Sequence, residues 1–437
     1  MRPAELPPTV RRRLGAVALG TVLVGALALV LGTPARGSFL VPAGVERFPA
    51  WLGGTLAGRS APLRSDGYSL LLLLMCAGYA GALACAREIP AGWAAGAVVA
   101  AHALLALAPP LLSGDVFGYL AYARLGVLHG ADPYLVAPEA MPGDAVMPFV
   151  RWRYLPSPYG PLWTLGSYPL ALLGLPGALW TLKALAGAAG IGLAGLVGAG
   201  ARRLGRPPVP AALLVGLNPV LLVWGVGGGH NDLLVTAVAV GGVTLALAGR
   251  EGLGAAVVVA ATALKASAGL LLPFLLLGAR RPGRAALVAL AAGAVVTLGA
   301  LVAFGPGVGG YLSVLGRQSG FVSRHSVPNE IGKLLGLGGV TPSGLRVAVT
   351  PALRLITGAV FLAAVGWLAW RTRRGADWLA SATWATAALL ATTTFLLPWY
   401  LVWLLPLAAL APGRAPAGAA LALTAFVVVT RTPLLLA

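Results

Sequence analysis

Apolar runs recur along the whole chain, at 14–32, 67–86, 92–112, 177–199, 209–226, 232–249, 285–304, 346–370, 378–394, 398–411 and 415–434, with a shorter pair at 253–266 and 267–279. Most match the roughly 20 helical residues needed to cross about 30 Å of hydrocarbon. Inside a bilayer each backbone amide must be satisfied within the protein, which a helix does along its own length. The remaining residues could not cover a soluble surface, because 58% of the 437 are hydrophobic and only 10% are charged. The expected fold is an all-α polytopic membrane protein of about 13 transmembrane helices, one domain spanning 1–437, with short interfacial helices in the outer-face loops.

Charge placement orients this bundle. The net charge of +19 comes largely from arginine in short loops, which the positive-inside rule explains without a nucleic-acid partner. Arg11–Arg13, Arg202-Arg203-Arg206, Arg280-Arg281-Arg284 and Arg371-Arg373-Arg374 then belong in the cytoplasm, with the N-terminus. Keeping Arg202 on that side makes Gly160–Leu175 a short segment at the outer interface rather than a crossing. Keeping Arg250 and Arg280 together makes 253–279 a hairpin that enters and returns. Outer loops follow at 33–66, 113–159 and 305–345. They and the 227–232 turn hold eight of the twelve acidic residues: Glu46, Asp66, Asp115, Asp132, Glu139, Asp144, Asp232 and Glu330. Leu14–Gly32, behind Arg11–Arg13, reads as an uncleaved anchor in the plasma membrane. Cys76 and Cys85 lie nine apart on opposite faces of one helix and cannot pair.

Scarcity singles out Asp115, in Ser113-Gly114-Asp115-Val116-Phe117 just beyond Pro109-Pro110. A carboxylate at the mouth of a membrane helix can act as a base on a substrate delivered by lipid. Residues 116–128 suit a helix on the outer surface. Asp115, Tyr119 and Tyr122 share one face beside Gly118 and Gly126, and Phe117, Leu120, Leu125 and Leu128 the face toward lipid. The plainer alternative is that Ser113 or Asp115 only caps this helix.

Other segments carry weaker signals. Asp132-Pro133 reads first as a turn. Ser157-Pro158-Tyr159-Gly160-Pro161 is a rigid elbow that could bring Tyr159, Arg151 and Arg153 to the mouth near Asp115. Gly227-Gly228-Gly229-His230-Asn231-Asp232 is either a tight capped loop or a place where His230 and Asp232 meet sugar hydroxyls or support Asp115. Lys265, at the hairpin apex, should face a cavity or an anion. Arg317, Arg324 and His325 could hold a phosphate or be solvated loop charge. Pro398-Trp399-Tyr400 and Trp403 fit an interfacial aromatic belt. Asp-x-Asp, Walker, zinc-spaced and Gly-x-Ser-x-Gly patterns are missing, which disfavours a metal-bound nucleotide sugar; no cofactor or metal is expected.

Ser113-Gly114-Asp115-Val116-Phe117-x-Tyr119, His129-Gly130-Ala131-Asp132-Pro133-Tyr134 and Ser157-Pro158-Tyr159-Gly160-Pro161 together resemble the bacterial polyprenol-phosphomannose-dependent α-(1→6)-mannosyltransferases of the GT-C superfamily. Asn218-Pro219, His230-Asn231-Asp232 and Pro398-Trp399-Tyr400 add to a likeness covering roughly residues 100–410. The resemblance implies a catalytic aspartate in an outer loop, here Asp115, and inverting transfer from polyprenyl phosphate to a glycan or glycolipid acceptor. Tyr119, Tyr122, Tyr159, His230 and Asp232 would then bind substrate, and Lys265, Arg317 and Arg324 the donor phosphate. The family often carries arginine before the aspartate, where this chain has Gly114, so arabinose or glucose stay open as donor sugars. A lipid or sugar transporter is the competing class, disfavoured because no repeated halves are visible and the acids sit at the outer rim.

Overall fold

Proline opens many of the helices: Pro8, Pro161, Pro208, Pro282, Pro351 and Pro416 all lie in a first turn, where a missing N–H costs nothing. The computed structural model describes residues 6–33, 39–40, 49–54, 62–340 and 346–435, so Glu46 and most of the 33–66 loop lie outside the described residues. The helices are α1 Pro8–Leu31, α2 Ala50–Gly53, α3 Ser65–Ala84, α4 Ala91–Ala106, α5 Asp115–Val127, α6 Pro161–Ser167, α7 Gly174–Arg203, α8 Pro208–Gly216, α9 Asp232–Leu247, α10 Glu251–Leu264, α11 Leu271–Gly278, α12 Pro282–Phe304, α13 Gly310–Gln318, α14 Val327–Leu334, α15 Pro351–Arg373, α16 Trp378–Thr392, α17 Leu401–Leu410 and α18 Ala415–Arg431. One departure from all-α is a two-residue antiparallel pair, β1 Gly339–Val340 with β2 Arg346–Val347.

The helices pack as a bundle in which α1 lies on α3 and α4, and α7 on α8, α9 and α17. Leu213, Val215, Leu401, Leu404 and Leu405 are wholly buried at its centre. On its outside, α12 and α15 expose Leu290, Val302, Leu355 and Leu362. Apolar side chains turned outward on long helices are the surface of a protein whose solvent is lipid. This is an all-helical polytopic membrane protein.

The crossings are less uniform than the sequence suggested. Among the described residues five helical stretches are long and apolar enough to span: Pro8–Leu31, Ser65–Ala84, Pro161–Arg203, Pro282–Gln318 and Pro351–Arg373. Six apolar helices are shorter, and several of them carry the site described below. The run 209–226 is broken: α8 stops at Gly216, and a π-helical turn, Leu221–Val226, follows Asn218-Pro219. Pro219 cannot continue the hydrogen-bond ladder. Buried Asn218 repairs the break, its Oδ1 accepting from the amides of Val220 (3.0 Å) and Leu221 (3.2 Å) and its Nδ2 donating to Thr424 Oγ1 (3.2 Å).

The pair 253–279 folds back on itself as a hairpin. The Arg280 and Arg281 amides donate to the Glu251 carboxylate at 2.8 and 3.3 Å, closing the base of the hairpin, while Lys265 sits extended at its apex between α10 and a 3-10 turn. Residues 161–175 form α6 and a further 3-10 turn that ends at Gly174, whose φ of +65° is a left-handed break before α7.

Candidate active site

Asp115 is the first residue of α5, and its carboxylate does not cap the helix. The N-cap is Gly114, with no side-chain cap, and Ser113 Oγ accepts from the Asp115 amide at 3.3 Å. The approach is strained: Leu112 has φ +59°, the only positive value at a non-glycine among the described residues. Leu111 N–H donates to Gly227 O (2.9 Å), which ties this approach to the glycine loop.

The expected orientation of α5 needs correction. Phe117, Leu120 and Leu125 do not face lipid. They are buried, with Phe117 stacked on Phe149 at 4.9 Å, and of that face only Leu128 is exposed. The chain beyond α5 folds back over this face and covers it with Met141, Met147, Phe149 and Trp163. A helix so enclosed is positioned firmly, and its carboxylate with it.

Around Asp115 and Tyr119 the structure gathers residues from three other stretches, at Trp152, the 229–231 loop and Trp399. Trp152 Nε1–H donates to Asp115 Oδ1 at 3.3 Å. His230 Nδ1 lies 3.9 Å from Asp115 Oδ2 and 3.4 Å from Tyr119 Oη. Tyr119 Oη donates to Asn231 Oδ1 (3.2 Å) and accepts from the Asn231 amide (3.3 Å). Asn231 therefore serves Tyr119 rather than capping α9, whose N-cap also lacks a side-chain bond. The His230 ring stacks on Trp399 at 3.6 Å. Gly229, at φ +71°, turns the loop so that His230 points inward.

Asp232 holds a second cluster. Its Oδ1 takes Lys265 Nζ at 2.7 Å and Trp403 Nε1–H at 2.8 Å, and Lys265 lies 5.2 Å from the Tyr400 ring and 5.4 Å from that of Trp403. The elbow 157–161 fixes this apex. Gly160 N–H donates to Leu264 O (3.0 Å), and a Cβ on Gly160 would collide with the Ala263 carbonyl, so only glycine fits. Asp132 makes the expected turn, its Oδ1 accepting from the Tyr134 amide at 2.8 Å.

Two cavities meet at Asp115. The first is lined by Asp115, Tyr122, Tyr159, Lys265 and Tyr400 among others. The second is lined by Asp115, Arg151, Arg324, Arg431, Tyr68 and Trp224 among others. Asp115, Trp152, Phe395, Leu397 and Trp399 belong to both.

Of the residues singled out from sequence, Asp115, Tyr122, Arg151, Tyr159, Lys265, Arg324, Trp399 and Tyr400 line one or both of these cavities. Tyr119, His230 and Asp232 are buried one layer behind, where they hold Asp115 and Lys265 rather than present themselves to a ligand. Arg317 is exposed at the end of α13 and lines neither cavity. Trp399 and Trp403 are parts of the site, not a lipid belt. Trp152 and Arg431 were not anticipated; Arg431 lies 316 residues beyond Asp115, and no local pattern marks it.

Burial pushes the Asp115 carboxyl up to about 6, opposed by nearby Lys265 and by the Trp152 hydrogen bond. Burial, with Lys265 and Lys183 nearby, holds His230 well below the usual imidazole range, so it is neutral. Its contact with Asp115 is therefore dipolar, not an ion pair. A carboxylate that ionises near neutrality, beside a cavity rich in aromatic rings and hydroxyls, is equipped to take a proton from an alcohol.

The sequence matches the family described as alpha-(1->6)-mannopyranosyltransferase, N-terminal domain, over residues 13–281, and the MptB C-terminal domain over residues 328–434. It is 31% identical over 390 residues to alpha-(1->6)-mannopyranosyltransferase A of Mycobacterium tuberculosis, covering 79% of this chain and 72% of that one. It is 30% identical over 189 residues to alpha-(1->6)-mannopyranosyltransferase A of Corynebacterium glutamicum, covering 39% of this chain and 35% of that one. No solved structure matches the chain.

Proposed function

The chain belongs to the alpha-(1->6)-mannopyranosyltransferase family and is a membrane glycosyltransferase, and from that premise we propose that it transfers mannose from polyprenyl phosphate to a glycan or glycolipid hydroxyl, with inversion, at the outer face of the plasma membrane. The observation that carries the mechanism is the perturbed carboxylate of Asp115 on the wall shared by two cavities.

Asp115 is the base. As the acceptor oxygen bonds to the anomeric carbon, its proton passes to the Asp115 carboxylate, and the bond from that carbon to the phosphate oxygen breaks with its electron pair on the phosphate. Phosphate is a weak base, so its departure needs charge stabilisation rather than a general acid. Trp152, through its hydrogen bond, and His230, through its packed neutral ring, hold the carboxylate in place. Tyr122 and Tyr159 face the sugar, while Tyr119 and Asp232 act through His230, Asn231 and Lys265. The membrane lipid supplies the donor's surroundings; neither nucleic acid nor a cofactor takes part.

The test is transfer by purified full-length protein from radiolabelled polyprenyl-phosphate mannose to a short mannoside. The expected result is a new mannosyl bond with the unaltered chain and a rate lower by about 10²-fold or more with Asp115→Asn, the scale of a lost general base. Transfer from the arabinose or glucose donor alone would replace the donor. Movement of substrate across the membrane without bond formation would replace the enzyme by a transporter.

A further inference from the structure

The two cavities that meet at Asp115 differ in charge. In the first, the cation is Lys265, and its ammonium is already engaged by Asp232 at 2.7 Å; with Asp115 counted, the surroundings are net negative. In the second, three guanidinium groups, of Arg151, Arg324 and Arg431, stand against the single carboxylate of Asp115. None of the three makes an ion pair among the described residues, and the loop carboxylate Glu330 is held by His325 and Lys333, each at 2.8 Å. The Arg431 guanidinium makes one long contact, 3.4 Å to Leu396 O, which leaves donors free.

We propose that the arginine-lined cavity seats the phosphate of a prenyl-phosphate sugar donor and that the Lys265 cavity receives the acceptor; the assignment rests on the reading of Asp115 as the base. The donor is a phosphodiester with one negative charge, and the departing prenyl phosphate is a monoester that gains a second. Guanidinium groups present planar pairs of donors to phosphate oxygens, so this cavity stabilises the leaving group most as its charge grows. Phe39, Leu112, Trp224 and Val322 give the same cavity an apolar wall for the first isoprene units. Displacement with inversion needs nucleophile and leaving group on opposite sides of one carbon. Two cavities joined at a single carboxylate supply that arrangement, with the sugar ring at the shared wall of Trp152, Phe395 and Trp399. Lys265, neutralised by its own aspartate, is a poor phosphate ligand and a good donor to a hydroxyl.

The experiment reads binding without turnover. Full-length protein in nanodiscs is titrated with farnesyl phosphate, farnesol and inorganic phosphate, for the unaltered chain and for Arg324→Gln, Arg431→Gln and Lys265→Met. The expected result is that each arginine variant weakens farnesyl phosphate tenfold or more. Lys265→Met should change it less than threefold and instead weaken the binding of a short mannoside acceptor, titrated in the same way. Arginine variants that bind like the unaltered chain, with binding lost in Lys265→Met, overturn the assignment. Inorganic phosphate or farnesol binding as tightly as farnesyl phosphate overturns it too, since the site would then be a free-anion or a purely apolar one. Arg324 is exposed in a loop, so Arg324→Gln decides the matter if Arg431→Gln does not fold. Undiminished transfer by Asp115→Asn would remove the base and leave the binding result to judge the arginine cavity separately.

Discussion

At Asp115 catalysis and stability pull in opposite directions. Its carboxyl is raised by burial to about 6, so the folded protein binds that proton more tightly than the unfolded chain does. Such a group favours the fold below its ordinary pKa and loses that contribution as pH rises through about 6. Asp115→Asn keeps an acceptor for Trp152 without the buried charge. Thermal melts in detergent at pH 7.5 should therefore show the variant a few degrees above the unaltered protein, although its transfer is about 10²-fold slower or more; a lower melting temperature would mean that the charge is compensated. Base catalysis has the opposite dependence. The transfer rate should climb about tenfold per pH unit below 6 and level off above 7, and a profile flat from pH 5 to 8 would place the limiting step elsewhere. Asp115 was legible because acidic residues are scarce and this one follows an apolar run. Trp152 and Arg431 were not, because tryptophan and arginine near a helix end have an ordinary explanation at a membrane interface, and Trp399 was visible only as part of a motif; the fold shows that these three converge.

Single buried contacts set how the helices place the site. Lys183, wholly buried in α7, donates to Leu105 O (2.9 Å), Val226 O (3.0 Å) and Gly227 O (2.6 Å). It thereby joins the end of α4, which leads to Asp115, to the glycine loop that leads to His230. Lys183→Met preserves bulk and removes three hydrogen bonds; Gly227 O keeps the Leu111 amide and Val226 O the Gly229 amide, but buried Leu105 O loses its donor, which should cost roughly 1–3 kcal/mol, seen as a lower melting temperature and reduced transfer. An unchanged melt would show that water replaces the ammonium. Gly160 works the same way at the elbow. Gly160→Ala must push residues 157–161 off the Ala263 carbonyl and so displace the Lys265 apex; transfer should fall at least tenfold while the protein still assembles in the membrane. The hairpin and the elbow were readable from charge bookkeeping and prolines. The enclosure of α5 was not, because it depends on how the later stretch from Met141 to Trp163 folds back, and the tie from Asn218 to Thr424 spans 206 residues that no local pattern links.

Taken across the whole molecule, the polar contacts fall into two sets. In one, Arg11 joins the start of α1 to Glu88 (2.6 Å) and Ala84 O (3.0 Å), Arg206 joins the end of α7 to Leu410 O and Ala411 O (both 2.7 Å), and Glu251 closes the base of the hairpin. In the other, Leu111 meets Gly227, Gly160 meets Leu264, and Ser323 N–H donates to Thr394 O at 2.9 Å. The first set carries the arginine clusters and the second the candidate site, and helices connect one to the other. The positive-inside rule would keep such arginine loops in the cytoplasm. The site should then open outward. In a chain with Cys76→Ser and Cys85→Ser, a cysteine at Arg317, exposed on α13 beside the site, should react with a membrane-impermeant maleimide in intact cells. A cysteine at Arg373, at the far end of α15, should react only after permeabilisation. The reverse pattern would put Asp115 on the cytoplasmic side, where a donor carried on the outer leaflet could not reach it, and the proposed reaction would have to be given up.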